Sequence, residues 1–273
     1  MNILFWNTYN KNVGNINNCL IELIQENKCD IVILAEYADD ISSFCQLINR
    51  KSLFEYSTMP NIKICNRIKG ITINDYIIIN LQEQTHYQIV MLKILNTRII
   101  IAMIHNISKM HYTESTQEEV LRIFIKDICE AENYYSTKNT IIIGDLNINP
   151  FDNACISASI LHAIPFMNEV KNTTRMVQNR EYQKFYNPTW KFYGNRSIPY
   201  TSYYKNNSDM INFYWNVFDQ VIIRPQMINA FCDDTFKIIY KTMNHILIQA
   251  DKPDKINYSD HLPIFCTFNE ERL

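Results

Sequence analysis

Six apolar runs in this chain each meet a polar residue of a kind that does chemistry, and that arrangement narrows the possible folds more than any other feature. Ile3–Trp6 ends at Asn7, Ile31–Ala35 at Glu36, and Ile99–Ile104 at His105. Ile141-Ile142-Ile143-Gly144 ends at Asp145-Leu146-Asn147, Phe218 precedes Asp219, and Tyr258-Ser259-Asp260-His261 opens the last apolar run. Short Ile-rich runs of this length read as strands buried on both faces. Strand ends in a packed sheet converge on one edge, where open α/β folds place ligands.

Between the runs the pattern alternates in blocks. A strand at Ile3–Trp6, a helix at Asn15–Asn27 and a strand at Asp30–Ala35 are followed by a helix around Asp39–Asn49. Five closely spaced β-like runs follow: Phe54–Thr58, Ile62–Ile68, Tyr76–Leu81, Tyr87–Ile94 and Arg98–Ile104. Their spacing predicts a largely antiparallel meander. The clearest helix runs from Glu114 to Asn133, with Ser115 and Glu118 as an expected capping box and Val120, Leu121, Phe124 and Ile128 as its apolar stripe. A buried strand at Thr140–Ile143 is followed by a helix starting after Pro150, while 171–217 reads as irregular and aromatic. Strands resume at Phe218–Ile223, Phe236–Tyr240 and His261–Phe268. Without strictly alternating helices a doubly wound sheet does not fit. The expectation is a two-sheet α/β sandwich, with sheets flanked by helices, in a single domain over 1–273.

Composition excludes several alternatives. At 47% hydrophobic and 20% charged, 273 residues can bury a sizeable core. A net charge of −2 argues against binding nucleic acid by bulk charge alone. Four glycines leave almost no room for a Gly-rich phosphate loop, and neither a P-loop nor a G-x-S-x-G motif is present. The eight cysteines include no C-x-x-C pair. No signal peptide or membrane-length apolar run is evident, so a cytoplasmic protein with reduced thiols is expected. Asn, Ile, Lys and Tyr are abundant and share AT-rich codons, so Asn and Tyr richness carries little functional weight by itself.

Taken singly, a carboxylate after a strand is ordinarily a turn former or helix cap, and His105 alone reads as a core histidine. Six together make chemical sense. Glu36, Asp260 and the amide oxygen of Asn7 are hard donors suited to Mg²⁺ or Mn²⁺. A histidine beside a carboxylate can move a proton, and an Asn can hold a phosphate oxygen. These are the parts that hydrolysis of a phosphate ester needs.

At Trp6-Asn7, Leu34-Ala35-Glu36, Met103-Ile104-His105, Gly144-Asp145-Leu146-Asn147, Phe218-Asp219-Gln220-Val221 and Ser259-Asp260-His261-Leu262-Pro263, in that order, the chain resembles the endonuclease/exonuclease/phosphatase superfamily. The resemblance implies the fold of pancreatic-type deoxyribonuclease, a four-layer α/β sandwich of two mainly antiparallel sheets packed together with helices outside, and a set of roles. Glu36 would be the principal metal ligand, with Asn7 and Asp260 in support. Asp145 would orient or deprotonate the attacking water, and Asn147 would hold the phosphate. His261 would bind the scissile phosphate or move a proton, with Asp219 fixing its tautomer, and His105 would steady developing charge. Departures are informative: Ala35 stands where the family often has Gln, Tyr9 where abasic-site endonucleases carry Asp, and His105 where that branch commonly has Tyr. The usual glycine near Ile62–Arg67 is also absent.

Residues 171–205 hold Lys171, Arg175, Arg180, Lys184, Lys191, Arg196 and Lys205 against Glu181, interleaved with aromatic rings. Such a segment suits a phosphate backbone and unstacked bases. Trp190, Lys191 and Arg196 are the expected substrate-binding residues. The expected activity is a divalent-metal nuclease acting on DNA, with RNA a second polymer to consider. The alternatives are a phosphatase or diesterase on inositol phosphates, phospholipid head groups or small nucleotides, and a non-catalytic module. An intracellular nuclease endangers its host, so a gate such as a partner protein is also expected.

Overall fold

The computed structural model describes residues 1–10, 14–60, 65, 67–94, 96–194, 199–205, 207, 210 and 212–273. Strands β1 (Asn2–Asn7) and β2 (Ile31–Ala35) are joined by helix α1 (Gly14–Asn27), and helix α2 (Ile41–Asn49) leads to β3 (Tyr56–Thr58). Then come β4 (Ile68–Ile73), β5 (Ile77–Gln84), β6 (Tyr87–Ile94), β7 (Thr97–His105), helix α3 (Glu114–Tyr134) and β8 (Thr140–Asp145).

Two mixed sheets result. The first has the order Lys237–Ile238, Ile264–Thr267, β1, β2, β4, β3; the second runs β5, β6, β7, β8, Asp219–Ile223, Phe185–Tyr186, Ala163–Ile164. Most neighbours are antiparallel, but β1 with β2, β7 with β8, and Phe185–Tyr186 with Ala163–Ile164 are parallel. The first two of these pairs each place two strand C-termini at one sheet edge, and the chemistry gathers at those edges.

The second sheet shows why its strands are apolar throughout. Ile99, Ile101 and Met103 of β7 join the large core against the first sheet, together with Ile141 and Ile143 of β8. Ile100, Ala102, Ile104 and Ile142 face the other way, into a second core with Leu121, Phe124 and Ile128 of α3. Side chains alternate faces along a strand, so a strand covered on both faces must be apolar at every position. The α/β sandwich is the fold observed. A buried ion pair bolts α3 to the second sheet: Arg224 Nε meets Glu132 Oε1 at 2.7 Å, and its guanidinium stacks 3.7 Å from the Phe185 ring.

Several sequence expectations need correction. The α3 cap is Thr113, whose Oγ1 accepts from Thr116 N, not Ser115; Glu118 pairs with Arg122 at 3.1 Å. The expected strand Ile62–Ile68 begins only at Ile68 and continues to Ile73, while 62–64 and 66 lie outside the described residues. Lys69, Gly70 and Thr72 disguised it. Gly70 is there because Met59 packs where a Cβ would stand, its Sδ 2.5 Å away. The region 171–217 is less irregular than expected. It holds a hairpin, Thr174–Val177 with Arg180–Gln183, whose turn residues Gln178 and Asn179 both have positive φ, and a second ladder, Ser202–Tyr203 with Trp215–Asn216. The helix after Pro150 is one short turn, Asn153–Ile156, and the last two strands contract to Lys237–Ile238 and Ile264–Thr267.

The corrected cap is testable. Thr113→Ala lowers stability by about 1 kcal/mol, whereas Ser115→Ala shifts it little; urea unfolding of both variants checks this, and the reverse order would restore the sequence expectation.

Candidate active site

Strand register assembles the site. Parallel pairing sets His105 beside Asp145, and the antiparallel strand Asp219–Ile223 sets Asp219 on the other side of it. In the first sheet Asn7 ends β1 opposite Ala35, so Glu36 leaves β2 at the same edge. Ile264–Thr267 runs antiparallel to β1, which brings the preceding Ser259-Asp260-His261 segment back to Asn7. The carboxamide of Asn7 then bridges the sheets, its Nδ2 donating to Asp145 Oδ2 at 3.0 Å.

Each remaining side chain is tied down. Asp145 Oδ1 accepts from the backbone N–H of Asn147 at 2.9 Å, and Asn147 Nδ2 donates to the Asn106 carbonyl at 2.9 Å. His261 Nδ1 lies 2.8 Å from Asp219 Oδ2, and its Nε2 faces Asp145 Oδ2 at 3.9 Å. Trp6 Nε1 donates to the His261 carbonyl, and Ser259 Oγ donates to Asn7 O at 2.6 Å while accepting from His261 N. His105 Nε2 stands 3.2 Å from Glu36 Oε1 and 3.8 Å from Asp145 Oδ2. Glu36 and Asn147 both hold left-handed backbone conformations, at φ 50 and 52. A non-glycine residue there costs on the order of 1–2 kcal/mol, a strain seen most often at functional sites.

The charges reinforce this geometry. Burial alone disfavours a charged His261, but Asp219, Asp145 and Asp260 outweigh it and push the imidazole up to about 10. Burial raises the Asp219 carboxyl, opposed by the His261 charge. The pair therefore stands at neutral pH as a carboxylate beneath an imidazolium. A hydrogen bond from His105 is the main reason the Glu36 carboxyl lies below its usual range. Burial lifts Asp260, and repulsion from Glu36 and Asp145 adds to the lift.

Two sets of groups bear on a metal. Asp145, Asp219 and His261 offer ligand atoms within 4.8 Å of one another. His261 already commits Nδ1 to Asp219, so that set behaves as an Asp–His pair beside a third carboxylate. Glu36, Asp260 and Asn7 supply only oxygens, and Asp260 Oδ1 is buried without a hydrogen-bond partner. A buried carboxylate oxygen left unpaired is costly unless a cation completes it. The oxygen set fits a hard divalent ion.

Trp190 and Lys191 have their contacts elsewhere than in this cluster. Trp190 is half-buried with its ring against Tyr193. Lys191 Nζ pairs with Asp233 Oδ2 at 3.4 Å and lies over the Phe236 ring, so it has a structural partner instead of a free charge. Arg196 lies outside the described residues. The aromatic groups that do reach the site come later in the chain. Ser202 bridges His261, and Tyr203 N donates to the Asp260 carbonyl at 3.4 Å. Tyr203 packs on Trp215 at 5.5 Å, with Lys252 Nζ 4.7 Å over its ring.

Sequence reasoning also passed over the buried amides. Asn149 Oδ1 accepts from Tyr193 and from Val217 N, while its Nδ2 donates to Asn216. Asn187 Nδ2 donates to Gln220 Oε1, whose own Nε2 donates to the Ile148 carbonyl. These bonds hold the loop after Asp145 against the strand that starts at Asp219. Asparagine abundance from AT-rich codons masks them in the sequence; only Asn149, two residues past Asn147, stands close enough to the Asp-Leu-Asn run to signal itself.

The sequence matches no family model and no curated protein. Solved structures do resemble the fold. A truncated TDP2 of Caenorhabditis elegans superposes with a TM-score of 0.58 at 14% identity, over 98% of this chain and 97% of that one. TDP2 of D. rerio complexed with single-strand DNA product gives 0.55 at 17%, over 98% of each chain. An AP endonuclease from Archaeoglobus fulgidus gives 0.54 at 12%, over 98% and 99%. The chain shares with these structures a deoxyribonuclease-like α/β-sandwich fold.

Proposed function

We propose that this chain is a divalent-metal-dependent phosphodiesterase that cleaves nucleic acid, with DNA as its substrate. The observation that carries this reading is the convergence of Asn7, Glu36, Asp145, Asp260 and His261 on one edge, with Asp219 beneath His261. Glu36, Asn7 and Asp260 would hold the ion, Mg²⁺ or Mn²⁺, which would supply Lewis-acid charge at the phosphate. Asp145 orients the attacking water and accepts its proton, held in place by Asn7 and by the Asn147 N–H. His261 presents Nε2–H to the scissile phosphate, its ring fixed by Asp219. Asn147 holds a phosphate oxygen with its remaining amide proton. His105 lies between Glu36 and Asp145 and keeps both carboxylates aimed into the cleft.

The polymer reading rests on what borders the site. Tyr203, Trp215 and Lys252 stand beside Asp260 and His261, and Phe213 and Tyr214 are exposed next to them. Stacking rings with a cation suit a nucleobase better than an inositol ring. Similar folds have also been captured with DNA, TDP2 with a single-strand product and the Neisseria 3′ phosphatase NExo with a product hairpin.

Plasmid and single-stranded DNA cleavage by the purified protein tests the reading. Cleavage should need Mg²⁺ or Mn²⁺ and stop on chelation. Glu36→Gln should raise the Mg²⁺ concentration for half-maximal rate by about tenfold or more. Cleavage indifferent to chelator would refute the metal assignment. Hydrolysis of a small phosphate ester with no cleavage of DNA would refute the substrate.

A further inference from the structure

Two nitrogen-bearing side chains outside the six motif segments, Arg67 and His86, flank the same edge through strand register. Ala35 pairs with Ile68 across β2 and β4, so Arg67 stands opposite Glu36, whose backbone N–H donates to the Arg67 carbonyl at 3.0 Å. Tyr87 pairs with Ile104 across β6 and β7, so His86 stands opposite His105, whose N–H donates to the His86 carbonyl at 2.8 Å. One position belongs to each sheet, and each immediately precedes a strand that pairs with one delivering a candidate active-site residue. Arg67 is exposed and makes no ion pair among the described residues. His86 is half-buried, and its Nδ1 has no hydrogen-bond partner.

The two groups also interact with one another and with the site electrostatically. Burial first, then the charges of Arg67 and His105, hold the His86 imidazole below its ordinary value. Arg67 is also among the cations that favour ionised Glu36. Glu36, Asp145 and Asp260 make this edge anionic. A substrate with several phosphates needs counter-charge here beyond the reacting centre; an unpaired guanidinium supplies that charge, and a neutral imidazole N–H adds a hydrogen-bond donor.

We propose that Arg67 and His86 form a second phosphate-binding position, on the Glu36–His105 side of the reacting centre, so that the substrate is a strand with at least two consecutive phosphates. This rests on the phosphodiesterase reading above and specifies its substrate: a polymer, gripped at the scissile phosphate and at the adjoining one. The aromatic groups by His261 would then face the nucleotide on the opposite side of the cut.

The test compares two substrates, a single-stranded oligodeoxynucleotide and bis(p-nitrophenyl) phosphate, which carries only one phosphate. For Arg67→Ala and for His86→Ala, the ratio of kcat/KM on the oligonucleotide to that on the small diester should fall about tenfold, the effect of losing one charge-assisted hydrogen bond. The fall should appear mainly in KM. The dependence of log KM on log salt should flatten by about one unit for Arg67→Ala. Arg67→Lys should recover part of the ratio, which a purely structural loss would not allow. Equal loss on both substrates would overturn the proposal, because the pair would then be holding Glu36 and His105 in place. An unchanged ratio and salt slope would overturn it too. Hydrolysis of neither substrate by the unaltered protein would overturn the phosphodiesterase reading and this one with it; wild-type cleavage of both with an unchanged ratio removes only this one.

Discussion

Asp145→Asn should lower turnover on DNA by about 10²- to 10⁴-fold, the usual contribution of a positioned general base. The residue is almost fully buried and lies at the centre of the cluster, receiving Asn7 Nδ2 on one oxygen and Asn147 N–H on the other. An asparagine can still accept from Asn147 but turns its own NH₂ towards the Asn7 amide. It therefore loses the proton acceptor and misplaces a candidate metal ligand in one substitution. Asp145→Ala, which makes no donor–donor contact, separates these effects. If the base is the larger part, both variants fall to similar rates. Single-turnover cleavage at saturating Mg²⁺, with thermal unfolding as a check on the fold, is the measurement; a rate within tenfold of wild type for either variant removes Asp145 from the mechanism.

The second large effect is on the frame that carries Asp145. Gly144 has φ +152, and a Cβ there would lie 1.9 Å from the backbone oxygen of Ile104. No rotamer change relieves a clash with backbone, so Gly144→Ala must push β8 away from β7. We expect about 3–5 kcal/mol of destabilisation, in the range of severe core substitutions. Activity should fall as well, because the displaced register is the one that aligns His105 with Asp145. Ile143→Val, one residue earlier, serves as a control and should cost only about 1 kcal/mol. Urea unfolding of the two variants decides the point. Near-equal losses would mean that the sheet tolerates the extra carbon and that the glycine does not set the geometry.

Much of the site is legible in the amino-acid sequence, and for a definite reason. An unbroken apolar run such as Ile141–Ile143 can be satisfied only by burial on both faces, so its end marks a sheet edge. The polar residue there, Asp145, is exposed to whatever else reaches that edge. Glu36, His105 and Asn7 obey the same logic, and the fold brings all of them together with Asp219, Asp260 and His261. The basic-aromatic segment is legible only in part. Its composition marks a surface suited to phosphates and bases, but Lys191 is matched to Asp233, forty-two positions on, and the rings beside His261 are Tyr203 and Trp215 instead of Trp190.

The chain's own pattern thus determined which segments are buried strands, that α3 is amphipathic, and which polar side chains end the strands, because burial and periodicity are local properties. Register between segments far apart was decided only in the folded molecule. That register set His105 beside Asp145 and put Arg67 and His86 opposite Glu36 and His105, while the packing of the two sheets brought Asn7 to Asp145 and His261 to Asp219 and enlisted Asn149 and Asn187 as braces. A hydrogen bond between residues 138 positions apart, as between Asn7 and Asp145, has no periodicity to announce it. It exists because two sheets pack face to face and each needs a partner for a polar group that burial would otherwise leave unpaired.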